Sequence, residues 1–98
     1  MNPSKLHKVF QLFYLLRHPD PLPLLTIQYF LYIAKEGGAT LPQLEKHFST
    51  STASTSRQSQ ALEDLNLVHR FPDPDDGRRL RLQLTRRGKA LMRQVELI

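Results

Sequence analysis

The chain has 98 residues, with 14 lysines and arginines against 9 aspartates and glutamates, so it carries a net charge of +5. That length holds one small domain with a modest core. The absence of cysteine removes disulfides and thiolate metal sites. No apolar run reaches the ~18 residues of a membrane span, and the first residues lack a signal-peptide layout. A cytoplasmic protein without a membrane partner is expected.

In chain order, Ser4 is placed to cap a first helix running to about Arg17, where His18-Pro19-Asp20-Pro21 stops it. Leu6, Val9, Phe10, Leu12, Phe13, Tyr14, Leu15 and Leu16 are too many apolar residues for one amphipathic stripe. Such a helix must be covered on more than one side, and a second subunit is the expected cover. Thr26 is expected to cap a second helix, with Ile27, Phe30, Leu31 and Ala34 at i, i+3, i+4 and i+7. Gly37-Gly38 ends it.

Thr40 and Gln43 have capping-box spacing for a short third helix, with Pro42 in its first turn and Leu41, Leu44 and Phe48 as its apolar face. Ser49-Thr50-Ser51 forms the turn, and Ser51 caps a fourth helix over about Thr52 to Leu65. Asn66 follows at a left-handed position. Two short helices joined by a tight turn, the second leading into a hairpin, describe a helix-turn-helix with a wing.

In the hairpin, Leu80, Leu82 and Leu84 alternate with Arg81 and Gln83, the pattern of a strand buried on one face. The turn before it, Pro72 to Gly77, is dense in Pro, Asp and Gly. Thr85 caps a last helix lined by Leu91, Val95 and Ile98, with Met92 widening the stripe.

The charge is unevenly placed. Up to Asn66 acids and bases nearly cancel, whereas Gly77 to Val95 holds Arg78, Arg79, Arg81, Arg86, Arg87, Lys89 and Arg93 with no acid. A one-sided basic field favours a polyanion, although a solvated surface has the same composition. A hairpin whose tip is crowded with guanidinium groups is better suited to a DNA groove than to a core.

Within this pattern, Thr40 to Met92 resembles the winged helix-turn-helix domain of the MarR family of bacterial transcription regulators. Three stretches carry the resemblance: Ser51-Thr-Ala-Ser-Thr-Ser-Arg-Gln-Ser-Gln-Ala-Leu-Glu-Asp-Leu-Asn-Leu-Val68, Asp73-Pro-Asp-Asp-Gly-Arg78, and Leu84-Thr-Arg-Arg-Gly-Lys-Ala-Leu91. It implies a mainly α fold with a small β-hairpin: about five helices and a two- to three-stranded wing. It also implies a homodimer, often a repressor, with the fourth helix in the major groove and the wing arginine in the minor groove. In the family the aspartate of the D-x-R wing motif orients that arginine, roles that fall on Asp76 and Arg78.

One domain over 1–98 is expected, with 26–85 as the DNA-binding core and 1–25 and 86–98 as linker and dimerisation helices. Family members usually continue well past the last helix here, so a smaller dimer interface and a reduced effector pocket are expected. The resemblance leaves a small-molecule effector open, with no residue to support it, and the lack of cysteine excludes the thiol-oxidation branch. Thr55 and Ser59 stand where members usually bury apolar residues, so a loosely held fourth helix is expected.

With Leu62 on the buried side of the fourth helix, Ala53, Ser54, Ser56, Arg57 and Gln60 fall on the opposite half. Arg57 can pair with guanine and Gln60 with adenine; the plainer role for Arg57 is an ion pair or solvent. Ser51 and Thr52 sit at a helix N-terminus suited to a phosphate, although capping alone explains Ser51. Arg78 suits the minor groove, or an ion pair with Asp75 or Asp76. Arg79 and Arg81 suit phosphates, and Arg86 and Arg87 a solvated helix start.

Dimerisation is assigned to Leu6, Val9, Phe10, Phe13, Leu91, Val95 and Ile98. The acidic turn lacks the ligand order of a calcium loop, with Leu84 where a bidentate Glu belongs, and the four histidines are scattered. No metal, cofactor or catalytic group is assigned, and no enzyme is expected. The alternative to a DNA-binding regulator is a winged-helix module that binds another protein through its apolar first helix.

Overall fold

The computed structural model describes residues 3–14 and 24–97, apart from the side chains of Leu6, Phe10, Leu12, Phe13 and Tyr14. The expected end of the first helix near Arg17, the Pro-rich loop after it and Ile98 lie outside the described residues. The elements run α1 (Pro3–Tyr14), α2 (Leu24–Glu36), β1 (Ala39–Thr40), α3 (Leu41–Phe48), α4 (Thr52–Asp64), β2 (Val68–Pro72), β3 (Leu80–Leu84) and α5 (Arg86–Glu96). The strands form one antiparallel sheet in the order β1-β3-β2. This is a mainly α domain with a small sheet.

Local chemistry sets most of the boundaries. Thr40 and Gln43 close a reciprocal capping box at α3: Gln43 N–H donates to Thr40 Oγ1 at 3.3 Å, and Thr40 N–H to Gln43 Oε1 at 2.9 Å. Ser51 and Thr85 cap α4 and α5 by accepting the N–H of Ser54 and Gly88 at 3.1 and 3.0 Å. Ser49 (φ 52°) and Asn66 (φ 57°) take left-handed conformations at the ends of α3 and α4.

Two expected caps are corrected. Ser4 lies inside α1, which already includes Pro3, a residue whose missing N–H costs nothing in a first helical turn. Thr26 lies inside α2. Its hydroxyl donates to the Gln58 side chain of α4 instead of capping its own helix.

The core joins Ile27, Tyr29, Phe30 and Ile33 of α2 to Ala39, Leu44, Leu62, Leu67, Val68 and Leu82, with Val9, Leu91 and Val95 in the same cluster. The expectation that Val9, Leu91 and Val95 await a second subunit is corrected, because α1 and α5 pack on each other and bury all three within one chain. Leu80 is corrected too. Alternation places it inward, yet it is 44% exposed, because its cross-strand partner is Pro72 at the end of β2, where the hairpin has outrun the core. Leu82, between Ala39 and Arg70, is fully buried.

Candidate nucleic-acid interface

α4 presents one face to solvent. Ala53, Ser56, Arg57 and Gln60 are exposed, Ser54 is half-buried, and Thr55, Ser59 and Leu62 are buried. Arg57 has no ion-pair or hydrogen-bond partner among the described residues, so its guanidinium keeps all five donors. Gln60 is less free, since its amide donates to Asp64 one turn on at 2.9 Å. Ser51 and Thr52 are both exposed at the N-terminus of α4, where the first N–H groups point outward.

The expectation that α4 is loosely held is corrected. Thr55 is buried with its hydroxyl 3.0 Å from Tyr29 Oη and 3.1 Å from Thr50 Oγ1, and Tyr29 Oη is 2.6 Å from Thr50 Oγ1. Gln58 is tied to Thr26. At the far end, Glu63 pairs with Arg70 of β2. Neither Tyr29 nor Gln58 is singled out by the sequence reading. The available signal was a tyrosine in the apolar stripe of α2, whose buried hydroxyl needs a partner.

The wing tip spans residues 73–79. Asp73 N–H donates to Arg79 O and Arg79 N–H to Asp76 O, both at 2.9 Å. The buried Asp73 carboxylate accepts Asp75 N–H at 3.1 Å. Asp76 Oδ1 accepts Arg78 N–H at 3.1 Å and Arg78 Nε–H at 3.2 Å, while Arg79 Nε lies 3.7 Å from Asp76 Oδ2. The Arg78 side chain is 92% exposed, so it is oriented at its root and open at its head. Arg81 stands apart from this tip. It pairs with Thr40 in the sheet, and its side chain lies over Gly38, where an added Cβ would come within 2.6 Å of Nε.

The backbone N–H of Arg78, then its side chain, and finally the charge of Arg79 hold the Asp76 carboxyl below its ordinary value. A depressed carboxylate stabilises the fold at pH above its unfolded value, and the effect disappears as pH falls through the folded one. The pairing is therefore intact at neutral pH and opens only in acid. An NMR titration should give Asp76 a lower midpoint than in an unfolded peptide of the same turn. Equal midpoints would show that Asp76 and Arg78 are unpaired in solution.

Among the described residues, no His, Asp or Glu cluster could hold a metal ion, and no helix is long and apolar enough to cross a membrane.

Four helices, a three-stranded antiparallel sheet and a fifth helix, with a capped helix-turn-helix and a hairpin carrying Arg78 and Arg79 at its tip, define a winged helix-turn-helix domain. The MarR family model matches residues 28–80, more than half of the sequence. The chain belongs to the MarR family. It is 39% identical over 57 residues to the uncharacterized HTH-type transcriptional regulator YxaD of Bacillus subtilis (strain 168), a match covering 58% of this chain and 40% of that protein. It is 30% identical over 78 residues to the uncharacterized HTH-type transcriptional regulator YhbI of the same strain, covering 78% of this chain and 51% of that one. The chain thus spans about half or less of these relatives. A MepR mutant of S. aureus bound to an oligodeoxyribonucleotide shares the fold, with TM-score 0.75, 21% identity and coverage of 95% of this chain and 66% of that one.

Proposed function

We propose that this protein is a sequence-specific double-stranded DNA-binding transcriptional regulator, a cytoplasmic repressor acting as a homodimer. The observation that carries the reading is Arg57, without a partner among the described residues, on the outward face of a capped, firmly held α4. Arg57 reads base edges in the major groove, where a guanidinium takes guanine O6 and N7 together. Ser54, Ser56 and Gln60 lie on or beside the same face, Gln60 after releasing Asp64. Ser51 and Thr52 take a backbone phosphate at the helix N-terminus. Arg78 enters the neighbouring minor groove with Asp76 fixing its root, and Arg79 holds a phosphate. Arg81, lying over Gly38, contributes to the basic field from the sheet.

Gel retardation with steep salt dependence tests the reading, because each neutralised phosphate releases counterions. Binding that is absent at low salt would end it. The dimer rests on the apolar first helix and on Leu97, which is 87% exposed. The side chains of Leu6, Phe10 and Phe13, like Ile98, lie outside the described residues. Sedimentation should give a dimer at micromolar concentration, and the operator should then be a palindrome with half-sites about one helical turn apart.

At the wing, Arg78→Ala should weaken binding most on operators with A·T-rich flanks, whose narrow minor groove attracts an inserted arginine. Asp76→Ala should do the same more weakly, since it frees the side chain without removing its charge. Operators of one core and varied flanks, titrated at fixed salt, decide the matter. Equal losses on A·T and G·C flanks would make Arg78 a plain contributor to the field.

A further inference from the structure

The hydroxyls of Tyr29, Thr50 and Thr55 form a closed triangle with sides of 2.6, 3.0 and 3.1 Å. Three hydroxyls in a ring can each donate once and accept once, so all are satisfied and each bond polarises the next. The triangle joins α2, the turn and α4. The Tyr29 ring also stacks on Phe48 of α3 with centroids 4.7 Å apart. One fully buried side chain therefore touches every part of the helix-turn-helix.

We propose that this hydroxyl triangle sets the angle and register of α4 on the domain, making Tyr29 a positioning residue for base recognition. The proposal rests on the reading of α4 as the DNA-recognition helix. An apolar contact resists separation but is non-directional, so a helix seated only on such contacts can rotate or slide slightly. Hydrogen bonds weaken steeply off axis, so the triangle resists those small motions. Base readout requires side chains placed to within about 0.5 Å. The Thr26–Gln58 bond adds a second tie one turn further along α4. Ser59 contributes no such tie, because its buried hydroxyl has no hydrogen-bond partner among the described residues.

The substitution Tyr29→Phe removes one hydroxyl while leaving the ring on Phe48 and the Thr50–Thr55 bond. Thr55→Val removes another at constant shape, and Thr55→Ser keeps it. Ser59→Ala is the control on the same helix. The probes are a duplex selected by wild-type protein from a random-sequence library and a scrambled duplex of equal composition, both at one salt concentration. Tyr29→Phe and Thr55→Val should each lower the selected-to-scrambled affinity ratio on the order of tenfold, the equivalent of one hydrogen bond of ordinary strength. Scrambled binding, set by charge, should hardly change. Thr55→Ser and Ser59→Ala should keep the wild-type ratio.

An unchanged ratio in Tyr29→Phe, with wild-type discriminating, overturns the positioning role and spares the DNA reading. Equal losses on both duplexes also overturn it, as Tyr29 would then only support the fold. If Thr55→Ser loses as much as Thr55→Val, methyl packing and not the hydroxyl is responsible, and the triangle is again overturned. Wild-type protein that favours no sequence overturns both readings together.

Discussion

Gly88→Ala should lower stability by about 3 kcal/mol, seen as a fall in melting temperature on the order of 10–20 °C. Gly88 lies in the first turn of α5, and an added Cβ would stand 2.2 Å from the carbonyl oxygen of Leu67 and 3.3 Å from Leu84 Cβ. The obstruction is backbone, which cannot swing aside. That same carbonyl accepts Thr85 N–H at 3.0 Å, so lifting α5 to make room strains the bond that anchors its N-cap.

Overpacking against backbone costs about 3 kcal/mol and a weakened hydrogen bond about 1, offset by about 1 gained from alanine in a helix. Gly77→Ala is the control. Its added Cβ meets nothing within 4 Å, and its melting temperature should be close to wild type. A Gly88→Ala protein as stable as Gly77→Ala would show that α5 can rise off the α4–β2 junction without cost.

Arg57→Ala should lower affinity for the selected operator by about 1–3 kcal/mol, the usual loss for a bidentate base contact. Binding to unrelated DNA should change much less. The substitution is a clean test because Arg57 has no partner among the described residues to leave unpaired, and it lies on the exposed side of α4. Melting temperature should be unaltered. A loss of equal size on every sequence, with a shallower salt dependence, would make Arg57 a phosphate contact.

The exposed positions of Arg57 and Arg78 are legible from sequence for different reasons. Arg57 follows from helical geometry once Leu62 marks the buried side. Arg78 follows from the wing motif, and the Asp76 contact two residues earlier is local enough to be read with it. Arg81 was grouped with them because it is near in sequence. In the sheet it belongs beside Thr40 and Gly38, which no local pattern links to residue 81.

Sequence alone determined the features that close within a few residues. Thr40 with Gln43, Ser51 with Ser54 and Thr85 with Gly88 are hydrogen bonds across three positions, so cap chemistry names both partners. Asn66 ends α4 for an equally local reason.

Tertiary structure decided whatever depends on which faces meet. Thr26 has cap chemistry, but its partner Gln58 is 32 residues away. Thr55 and Ser59 weaken an apolar stripe by composition. Yet Tyr29, 26 residues before Thr55, turns the first of them into an anchor. β1 has two residues, too few for any periodicity to show, and exists only because β3 lies beside it. Val9, Leu91 and Val95 carry the same apolar signal whether a second subunit or their own chain covers them. Packing α1 on α5 buried them within one chain, because the hydrophobic effect rewards removal of apolar surface from water without specifying what covers it.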